Sequence, residues 1–584
     1  MSTSVELNNL THRPEVHPES NYDVPEHDGL NNHTHLPGAY PEPTSPTART
    51  KHDNLHLEDV GGSSTQGSGS ASIVPDKRWK QSLEHPDKIE LREQDCPEVL
   101  GFAFPALKKW RIIAVIFAVQ VSMNFNAGIY GNAIPGLQEE FGLSAQAARV
   151  GQAVFLICYA FGCELWAPWS EELGRKPILQ WSLAFVNLWQ IPCAVAPNYG
   201  TIIIARILGG FSSAGGSVTL GMVADLWGPD EQHSGLNFVV LSSVGGSVVG
   251  PIVGAFAQDN LSWHWIFWLQ LIFGGAVQAL HFFLVPETRS SVLVDREAKR
   301  RRKAGEPNVY GPGELKPKLT FKEIIRTWVR PFDMFINEPI VLCLSLLSGF
   351  ADALIFTFIS SYGIVYARWG FGTIDVGLAF IALLVGYLLA YFSMFYVFSR
   401  AVKLRRNHPQ RITPEHRLWW LLWTVYLLPA GLFGFAWSCR GPEYNHWIVP
   451  MIFSVVIAIA NFTIYMTTID YMTAAYGPYA ASATGGNGFA RDFLAGIAVM
   501  YSTPLYTNVG SYPNNVAWAT MILAFISICV SVPVYVFYWK GPQIRAASKF
   551  AQKIANAREE NEGRIATLGN KAEAGHLENA DPQV

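Results

Sequence analysis

Residues 242–256, SSVGGSVVGPIVGAF, are almost entirely small or β-branched, with Gly246, Gly250 and Gly254 spaced four apart and a proline at Pro251. Glycine and proline both weaken a helix in water. In a lipid bilayer the helix keeps its internal hydrogen bonds, so both residues are tolerated there. Glycines at this spacing share one helix face and let a second backbone approach closely. The stretch therefore predicts a membrane-spanning helix that packs tightly against a neighbour.

The composition also indicates a membrane protein. The chain has 584 residues, of which 49% are hydrophobic and only 15% charged, whereas soluble domains carry about a quarter charged residues. A net charge of −3 argues against a nucleic-acid partner. The seven cysteines form no CxxC pair or Cys/His cluster, so we expect neither metal nor cofactor. The sequence contains no G-x-x-x-x-G-K-[ST] phosphate loop, so we do not expect ATP hydrolysis to power the protein directly.

The chain divides into five segments. Residues 1–105 are rich in Pro, Ser, His, Asn and Gly and are predicted to form a disordered cytosolic tail. Two apolar halves, 106–287 and 339–540, follow, joined by a basic central loop, 288–338. Residues 541–584 form a C-terminal tail.

Each half contains six apolar runs of about twenty residues, the length that crosses a hydrocarbon core of about 30 Å. The predicted spans lie near 111–131, 146–166, 178–196, 200–223, 234–257, 264–285, 339–362, 374–399, 417–438, 447–469, 478–503 and 516–538. Two groups of six helices joined by a charged loop are typical of transporters built from repeated halves. We therefore predict an all-α integral membrane protein with twelve transmembrane helices.

Lysine and arginine set the predicted orientation, because loops rich in them stay in the cytosol. Basic residues precede the first span, follow the second and the eighth, and fill the central loop. No Lys or Arg occurs in 132–145, 197–199, 258–263 or 504–515. Both termini and the central loop are therefore predicted to be cytosolic, in a multi-pass protein of the plasma membrane.

Two further motifs place charges at or inside the bilayer. The loop APWSEELGRKPIL (167–179) carries Glu171, Gly174, Arg175 and Lys176. Its guanidinium could form a latch with Asp225 at the cytosolic end of the fourth span, and ordinary positive-inside anchoring is the alternative. In ARILGGFSSAGGS, Arg206 lies well inside an apolar run, where a charge is costly unless the side chain reaches the surface.

These motifs resemble those of antiporters of the major facilitator superfamily. The segments WHWIFWLQLIFGG, VPETR, PEHRLWW, DYMTAAYGPYAASA and GPQIRAASKFA extend the resemblance over about residues 105–551 to the fungal twelve-span drug:proton antiporters. The resemblance implies the major facilitator fold, a small-molecule substrate and exchange for protons. It also implies gating roles for the glycine-rich span, the loop after the second span and Arg206.

Proton coupling requires a titratable group within the spans. Asp352, near the middle of the seventh span, is the first candidate, followed by Glu164 and by Asp492 beside Arg491. Asp470, near a cytosolic helix end, is a candidate gate. Each carboxylate could instead be held in a permanent pair by Arg206 or Arg491. If Asp352 carries the proton, Asp352→Asn abolishes pH-driven transport without loss of surface expression.

The candidate cavity residues are Gln120, Asn124, Tyr362 and Tyr465. Aromatic groups with a few polar neighbours suit an amphipathic or aromatic substrate better than a sugar. An interfacial aromatic belt is the alternative. Asn260 begins an N-x-S sequon in a short predicted outer loop and is a glycosylation candidate.

Together these patterns predict a monomeric exporter of hydrophobic or cationic molecules, such as xenobiotics, toxins, secondary metabolites or polyamines. A proton-driven nutrient importer and a non-transporting sensor remain the alternatives. An enzyme is disfavoured, since no nucleophile–base set or cofactor loop lies in the spans.

Overall fold

The computed structural model describes residues 88–228, 231–315, 321–407 and 413–548, together with 550 and 552. Most of the predicted N-terminal tail and the end of the C-terminal tail lie outside these residues. The described chain is almost entirely helical, and its long helices fall at the twelve predicted positions. The predicted fold class is therefore confirmed.

We number the long helical segments as spans 1 to 12. Their bounds are Ala106–Phe141, Ala145–Glu172, Arg175–Ala194, Tyr199–Leu226, His233–Asn260, His264–Leu284, Pro339–Trp369, Thr373–Leu404, Pro414–Ser438, Ile448–Tyr476, Ala480–Asn508 and Asn515–Ala547. Within the described residues, ten of these spans are long and apolar enough by composition to cross a membrane. The other two, spans 3 and 11, carry charged and amide side chains that belong to the sites described below.

Several spans change helical geometry along their length. Span 1 consists of Ala106–Gly128 and Ile134–Phe141 joined by a 3-10 segment, Ile129–Ala133. Span 4 breaks between Tyr199–Ser212 and Gly215–Leu226, in the small-residue sequence SSAGG. Glycine and serine pairs are a common cause of such kinks. A break divides span 8 into the helices Thr373–Ala379 and Ile381–Asn407. Span 9 consists of Pro414–Leu418, Trp419–Thr424 and Leu427–Ser438.

The spans form two halves that meet along two seams. In the first half span 1 packs against span 5, span 2 against span 4 and span 3 against span 6. In the second half span 7 packs against span 11, and spans 8 and 9 against span 10. Spans 2 and 11, and spans 5 and 8, join the halves.

We call the side of the bundle that carries residues 285–338 the loop face. On the opposite side the halves are closed by a shared apolar cluster from spans 1, 2, 7 and 11. Its buried members are Ala127, Ala153, Phe155, Leu156, Ala353, Phe356, Ala495, Ala498 and Val499. Near the same end Gln146 Nε2 donates to the Met500 carbonyl at 2.5 Å. Access between the halves is therefore blocked on the face opposite the central loop.

The central loop is largely structured, which the sequence did not predict. It contains helix α1 (Ser290–Lys303), strand β2 (Val309–Tyr310), the single turn Pro312–Leu315 and helix α2 (Phe321–Asn337). Arg302 forms a two-point ion pair with Glu314, both contacts at 2.7 Å. This guanidinium holds the pKa of the Glu314 carboxyl below its usual range.

The end of the predicted tail is also ordered, which corrects the predicted boundary at residue 105. Strand β1 (Ile89–Glu90) pairs in parallel with β2. Three short 3-10 turns follow, Glu93–Asp95, Pro97–Val99 and Gly101–Ala103. The side chains of this segment that pack against α1 and β2 are Leu91, Cys96 and Leu100. The segment thereby fastens the first part of the central loop to the first half. At the other end, span 12 continues to Ala547, past the predicted boundary at 540.

Candidate functional site

A cavity of about 300 Å³ lies between the two halves. Spans 1, 2, 4, 5, 10 and 11 line it, and its lining reaches Glu171 and Asp225 in one half and Gly477 and Ala480 in the other. These four residues stand at span ends on the loop face. The cavity therefore opens toward the loop face and ends in the closed apolar cluster on the opposite side.

Two carboxylates, Glu164 on span 2 and Asp492 on span 11, line this cavity. They belong to opposite halves and face the same cavity. Glu164 is 3% exposed and points at Gly485, where a Cβ atom would lie 2.5 Å from its Oε2. Among the described residues, no ion pair includes either carboxylate.

Asp352, in contrast, has a fixed partner. Arg491 Nη2 donates to Asp352 Oδ1 at 2.9 Å, and the guanidinium carbon lies 3.4 Å from the centre of the Tyr465 ring. Both charged side chains are 8% exposed. The permanent pair considered for Asp352 is thus present, and its partner is Arg491 rather than Arg206.

A charge cluster with more anions than cations is formed by Glu164, Asp352, Asp492 and Arg491. With every group ionised, three carboxylates and one guanidinium sum to a formal charge of −2. Asp352 is thus compensated by Arg491, whereas Glu164 and Asp492 face the cavity without a paired cation among the described residues.

The Asp352–Arg491 pair makes a separate prediction. Asp352→Asn leaves the Arg491 charge buried without its partner, a loss that costs about 3–5 kcal/mol in soluble proteins. We expect less folded protein at the cell surface and a lower melting temperature after purification. Asp352→Asn combined with Arg491→Gln should recover part of the folded protein. Normal surface expression of the single variant would contradict this role.

Three of the four predicted cavity residues, Gln120, Asn124 and Tyr465, line the cavity. The fourth, Tyr362, does not, and its assignment to the cavity was wrong. Its ring is fully buried in the second half, where it stacks on Phe380 at 4.5 Å, and its hydroxyl donates to Ser454 Oγ at 2.6 Å. The rotation of span 7 about its axis directs the Tyr362 side chain toward spans 8 and 10 rather than toward the first half.

Tyr159 on span 2 also lines the cavity, and the sequence analysis missed it. It is 3% exposed, and its hydroxyl has no hydrogen-bond partner within the described part of the chain. A tyrosine in mid-span was the signal that could have found it.

Arg206 is fully buried, so the alternative of a side chain that reaches the surface does not hold. Its Nε donates to the Gly151 carbonyl and its Nη2 to the Asn126 carbonyl, both at 3.2 Å. The guanidinium also lies 3.9 Å from the Phe155 ring centre and 4.8 Å from that of Tyr130. Arg206 thus ties span 4 to spans 1 and 2 through carbonyls and aromatic faces.

The glycine face of span 5 lies against the backbone of span 1. A Cβ atom on Gly246 would lie 2.8 Å from the Val121 carbonyl oxygen, and one on Gly250 would lie 2.6 Å from the Ile129 amide nitrogen. One on Gly254 would lie 2.9 Å from the Ile129 side chain. Pro251 belongs to the same contact, on the Gly128 side. The close approach inferred from the spacing is thus present between spans 1 and 5.

At the loop face Arg175 forms a latch within the first half. Its Nε lies 3.0 Å from Asp225 Oδ2. Glu287, which follows span 6, accepts bonds from the backbone amides of Arg175 (2.9 Å) and Lys176 (3.2 Å). A carboxylate at a helix N-terminus satisfies free amides and complements the helix dipole. Glu287 is a member of this contact that the sequence analysis did not name, although it noted the VPETR segment.

The second half carries a corresponding latch. Arg417, at the start of span 9, pairs with Asp470, near the end of span 10, as Arg175 pairs with Asp225 between spans 3 and 4. Arg545 at the end of span 12 pairs with Glu415 at the start of span 9, at 2.7 Å. The first half has its carboxylate on the opposite partner, because Glu287 follows span 6 and accepts from the start of span 3. The two halves therefore repeat the Arg–Asp pair on the loop face.

Asp470 also connects the halves. Its Oδ1 lies 3.1 Å from Nδ1 of His233, which begins span 5. The residue expected to act as a gate therefore stands where the two halves meet on the loop face.

The other predicted residues have peripheral positions. Glu171 lies at the mouth of the cavity. Lys176 Nζ donates to the Phe282 carbonyl at 3.0 Å. Asn260 is exposed at the last residue of span 5, where its side chain donates to the Phe256 carbonyl at 2.9 Å.

Residues 116–500 match the family model for the Major Facilitator Superfamily. This match agrees with the two six-helix halves of the structure. The chain belongs to the Major Facilitator Superfamily. It is 32% identical to the transporter paaT of Penicillium rubens, over 76% of this chain and 80% of that protein. These members of the superfamily share most of their length.

Other similar members of the superfamily have descriptive names. The Fluconazole resistance protein 1 of Saccharomyces cerevisiae is 28% identical over 77% of this chain and 82% of its own. The Citrinin biosynthesis cluster MFS transporter mrr1 of Monascus ruber is 29% identical over 84% of this chain and 98% of its own. Among solved structures, the proton:xylose symporter XylE matches with a TM-score of 0.53 at 16% identity, over 75% of this chain and 96% of that chain. The likeness to XylE supports the fold.

Gly174, at the start of span 3 in this superfamily member, allows a direct test of the first latch. Its φ is +103°, and a Cβ atom there would lie 2.8 Å from the Glu287 carboxyl carbon. Gly174→Ala therefore combines backbone strain of about 1–3 kcal/mol with displacement of the Glu287 carboxylate. We expect a lower melting temperature for the purified protein. Gly228→Ala, where a Cβ atom meets no neighbour within 4 Å, is the control, and equal melting temperatures would argue against the latch.

Proposed function

We propose that this chain is a proton-coupled efflux pump of the plasma membrane, which exports small hydrophobic or cationic molecules by alternating access. Membership of the superfamily supports transport of a small molecule, and the names of two relatives refer to fluconazole resistance and to citrinin biosynthesis. We further propose that it acts as a monomer and needs no cofactor.

We place both termini and the loop face in the cytosol. The support is the concentration of lysine and arginine in the loop-face segments and their absence from 132–145, 197–199, 258–263 and 504–515. In this orientation the cavity is open to the cytosol and sealed toward the outside. It would therefore take its cargo from inside the cell.

The observation that carries the proposal is the pair of carboxylates, Glu164 and Asp492, that face the cavity without a paired cation among the described residues. Two carboxylates without a paired cation beside the aromatic faces of Tyr159 and Tyr465 favour cations and neutral aromatic molecules over anions. The same carboxylates can hold protons. Cargo and proton would therefore compete for one site.

Competition for one site gives an exchange cycle. In the state open to the cytosol the carboxylates release their proton and cargo enters. In the state open to the outside, protonation of Glu164 and Asp492 removes the attraction for cargo, which leaves. A ligand shifts such an equilibrium only as far as its affinities for the two states differ. The proposed latches at Arg175–Asp225 and Arg417–Asp470 would stabilise one arrangement of the halves.

An export assay in cells that lack other pumps tests the proposal. The panel contains azoles, polyamines and metabolites of the host cell, each with and without a protonophore. We expect lower accumulation of at least one compound when the chain is present, and loss of this difference with protonophore. Higher accumulation would indicate an importer, and binding without any change in accumulation would indicate a sensor.

A further inference from the structure

Helix α2 of the central loop exposes an apolar stripe that the transport site does not use. Ile325, Val329 and Ile336 are 41%, 48% and 69% exposed. With 3.6 residues per turn, these three positions fall within about 40° of one another on the helix. A continuous apolar stripe of this kind on a helix outside the spans indicates a contact with another apolar surface.

The neighbouring face of α2 is polar. Arg326, Asp333 and Asn337 are exposed on it, and Arg330 is half-buried beside them. The Arg330 guanidinium carbon lies 5.9 Å from the Tyr479 ring centre. A helix with an apolar stripe bordered by arginines has the pattern of segments that lie in the interface of a bilayer.

The remaining side of α2 is packed against both halves of the protein. Phe332 lies 5.9 Å from Phe161 on span 2 and 4.9 Å from Phe489 on span 11, measured between ring centres. Phe335 also contacts Phe489, at 6.0 Å. The helix is therefore fixed at the loop-face end of one of the two seams that join the halves.

Exposed apolar side chains also lie on the loop-face halves of two spans on which α2 packs. Leu165 and Trp169 on span 2 are each 37% exposed, and Leu346 on span 7 is 38% exposed. Span 7 begins directly after α2, and α2 packs on spans 2, 7 and 11. Acyl chains that cover these span surfaces therefore end beside the stripe of α2.

We propose that α2 is an interfacial helix of the loop-face leaflet, with Ile325, Val329 and Ile336 among the upper acyl chains and Arg326 and Arg330 bound to anionic lipid headgroups. The attraction of such a leaflet is about 1 kcal/mol for each basic residue near the surface. Because α2 also packs on spans 2 and 11, bound anionic lipid would stabilise the seam on the loop face.

The test uses a bimane fluorophore on a cysteine at one of two sites of full-length protein in liposomes. Cys529→Ser removes the exposed native thiol; the other six cysteines are buried or half-buried. Val329→Cys places bimane on the apolar stripe, and Asp333→Cys places it on the polar face as a matched control. The C529S protein without an added cysteine gives the background signal.

Quenching by lipid and by iodide gives opposite expectations for the two sites. We expect a lipid with a nitroxide high on its acyl chain to quench bimane at 329 more than at 333, and aqueous iodide to show the reverse order. Equal lipid quenching at the two sites, or strong iodide quenching at 329, would overturn the interfacial placement. If a soluble protein partner covered the stripe instead, lipid would quench bimane at 329 no more than at 333.

The headgroup contact has its own measurement. At 329, nitroxide-labelled phosphatidylserine should quench more than nitroxide-labelled phosphatidylcholine. The variant R326Q/R330Q should lose this preference while retaining quenching by both lipids. If the preference persists in the variant, or is absent from the unmodified helix, the proposed binding of anionic lipid is wrong. None of these outcomes depends on whether the protein exports a cargo.

Discussion

Glu164→Gln should reduce proton-driven export to the level of membranes that lack the protein, while the folded protein stays at the cell surface. Glutamine keeps the size of the side chain and removes its titration. Glu164 is 3% exposed, faces the cavity, and is in no ion pair within the described residues, so its replacement strands no buried partner charge. Because glutamine imitates the protonated carboxyl, the affinity of the cavity for a cationic cargo should fall at the same time.

Glu172→Gln is the matched control, because Glu172 ends the same span and is exposed. Export by this variant should equal that of the unmodified protein. Asp492→Asn is expected to impair proton coupling in the same way as Glu164→Gln, since the two groups share the cavity. Proton-driven export at the unmodified rate by the Glu164→Gln, Asp492→Asn double variant would contradict the assignment.

Gly250→Val should prevent the first half from assembling. A Cβ atom at this position would lie 2.6 Å from the Ile129 amide nitrogen and 2.9 Å from the Gly128 carbonyl carbon. These are backbone atoms, which cannot rotate away as a side chain can, so spans 1 and 5 must separate. Overpacking costs about 1–3 kcal/mol in ordinary cores, and occasionally more. We expect little folded protein after detergent extraction and no export.

Gly245→Val makes the same chemical change in the same helix. A Cβ atom on Gly245 meets no neighbour within 4 Å. Size-exclusion profiles and melting temperatures should therefore differ clearly between the two variants. Gly245→Val should give values close to those of the unmodified protein. Similar behaviour of both variants would show that the glycine face contributes no specific contact.

The twelve spans and the close approach of span 5 could be predicted because both depend on local pattern. An apolar run that is long enough to cross the hydrocarbon core of the bilayer locates a span. The spacing of glycines identifies a helix face that a second helix can approach. The pattern does not fix the rotation of a helix within the bundle. This is why Tyr362 was assigned to the cavity, although it stacks on Phe380 inside the second half.

Contacts between distant parts of the chain escaped the sequence analysis for a different reason. The ordered segment 88–104 mixes apolar with charged residues, and Leu91, Cys96 and Leu100 become buried only where residues such as Val294 and Val309 pack on them. The second latch joins Arg417 to Asp470 and Glu415 to Arg545. No local spacing indicates such pairs, and only the likeness between the two latches in the folded protein makes the repeat visible.

Exchange of cargo for protons is measured most directly with purified protein in sealed liposomes that contain a pH-sensitive dye. Liposomes are loaded with an exported compound that carries no titratable group, diluted into cargo-free buffer, and kept at zero membrane potential. Outward movement of cargo should acidify the interior in a dye signal that Glu164→Gln abolishes. Cargo efflux with no pH change, or with an alkaline shift that accompanies protons leaving together with cargo, would contradict the account.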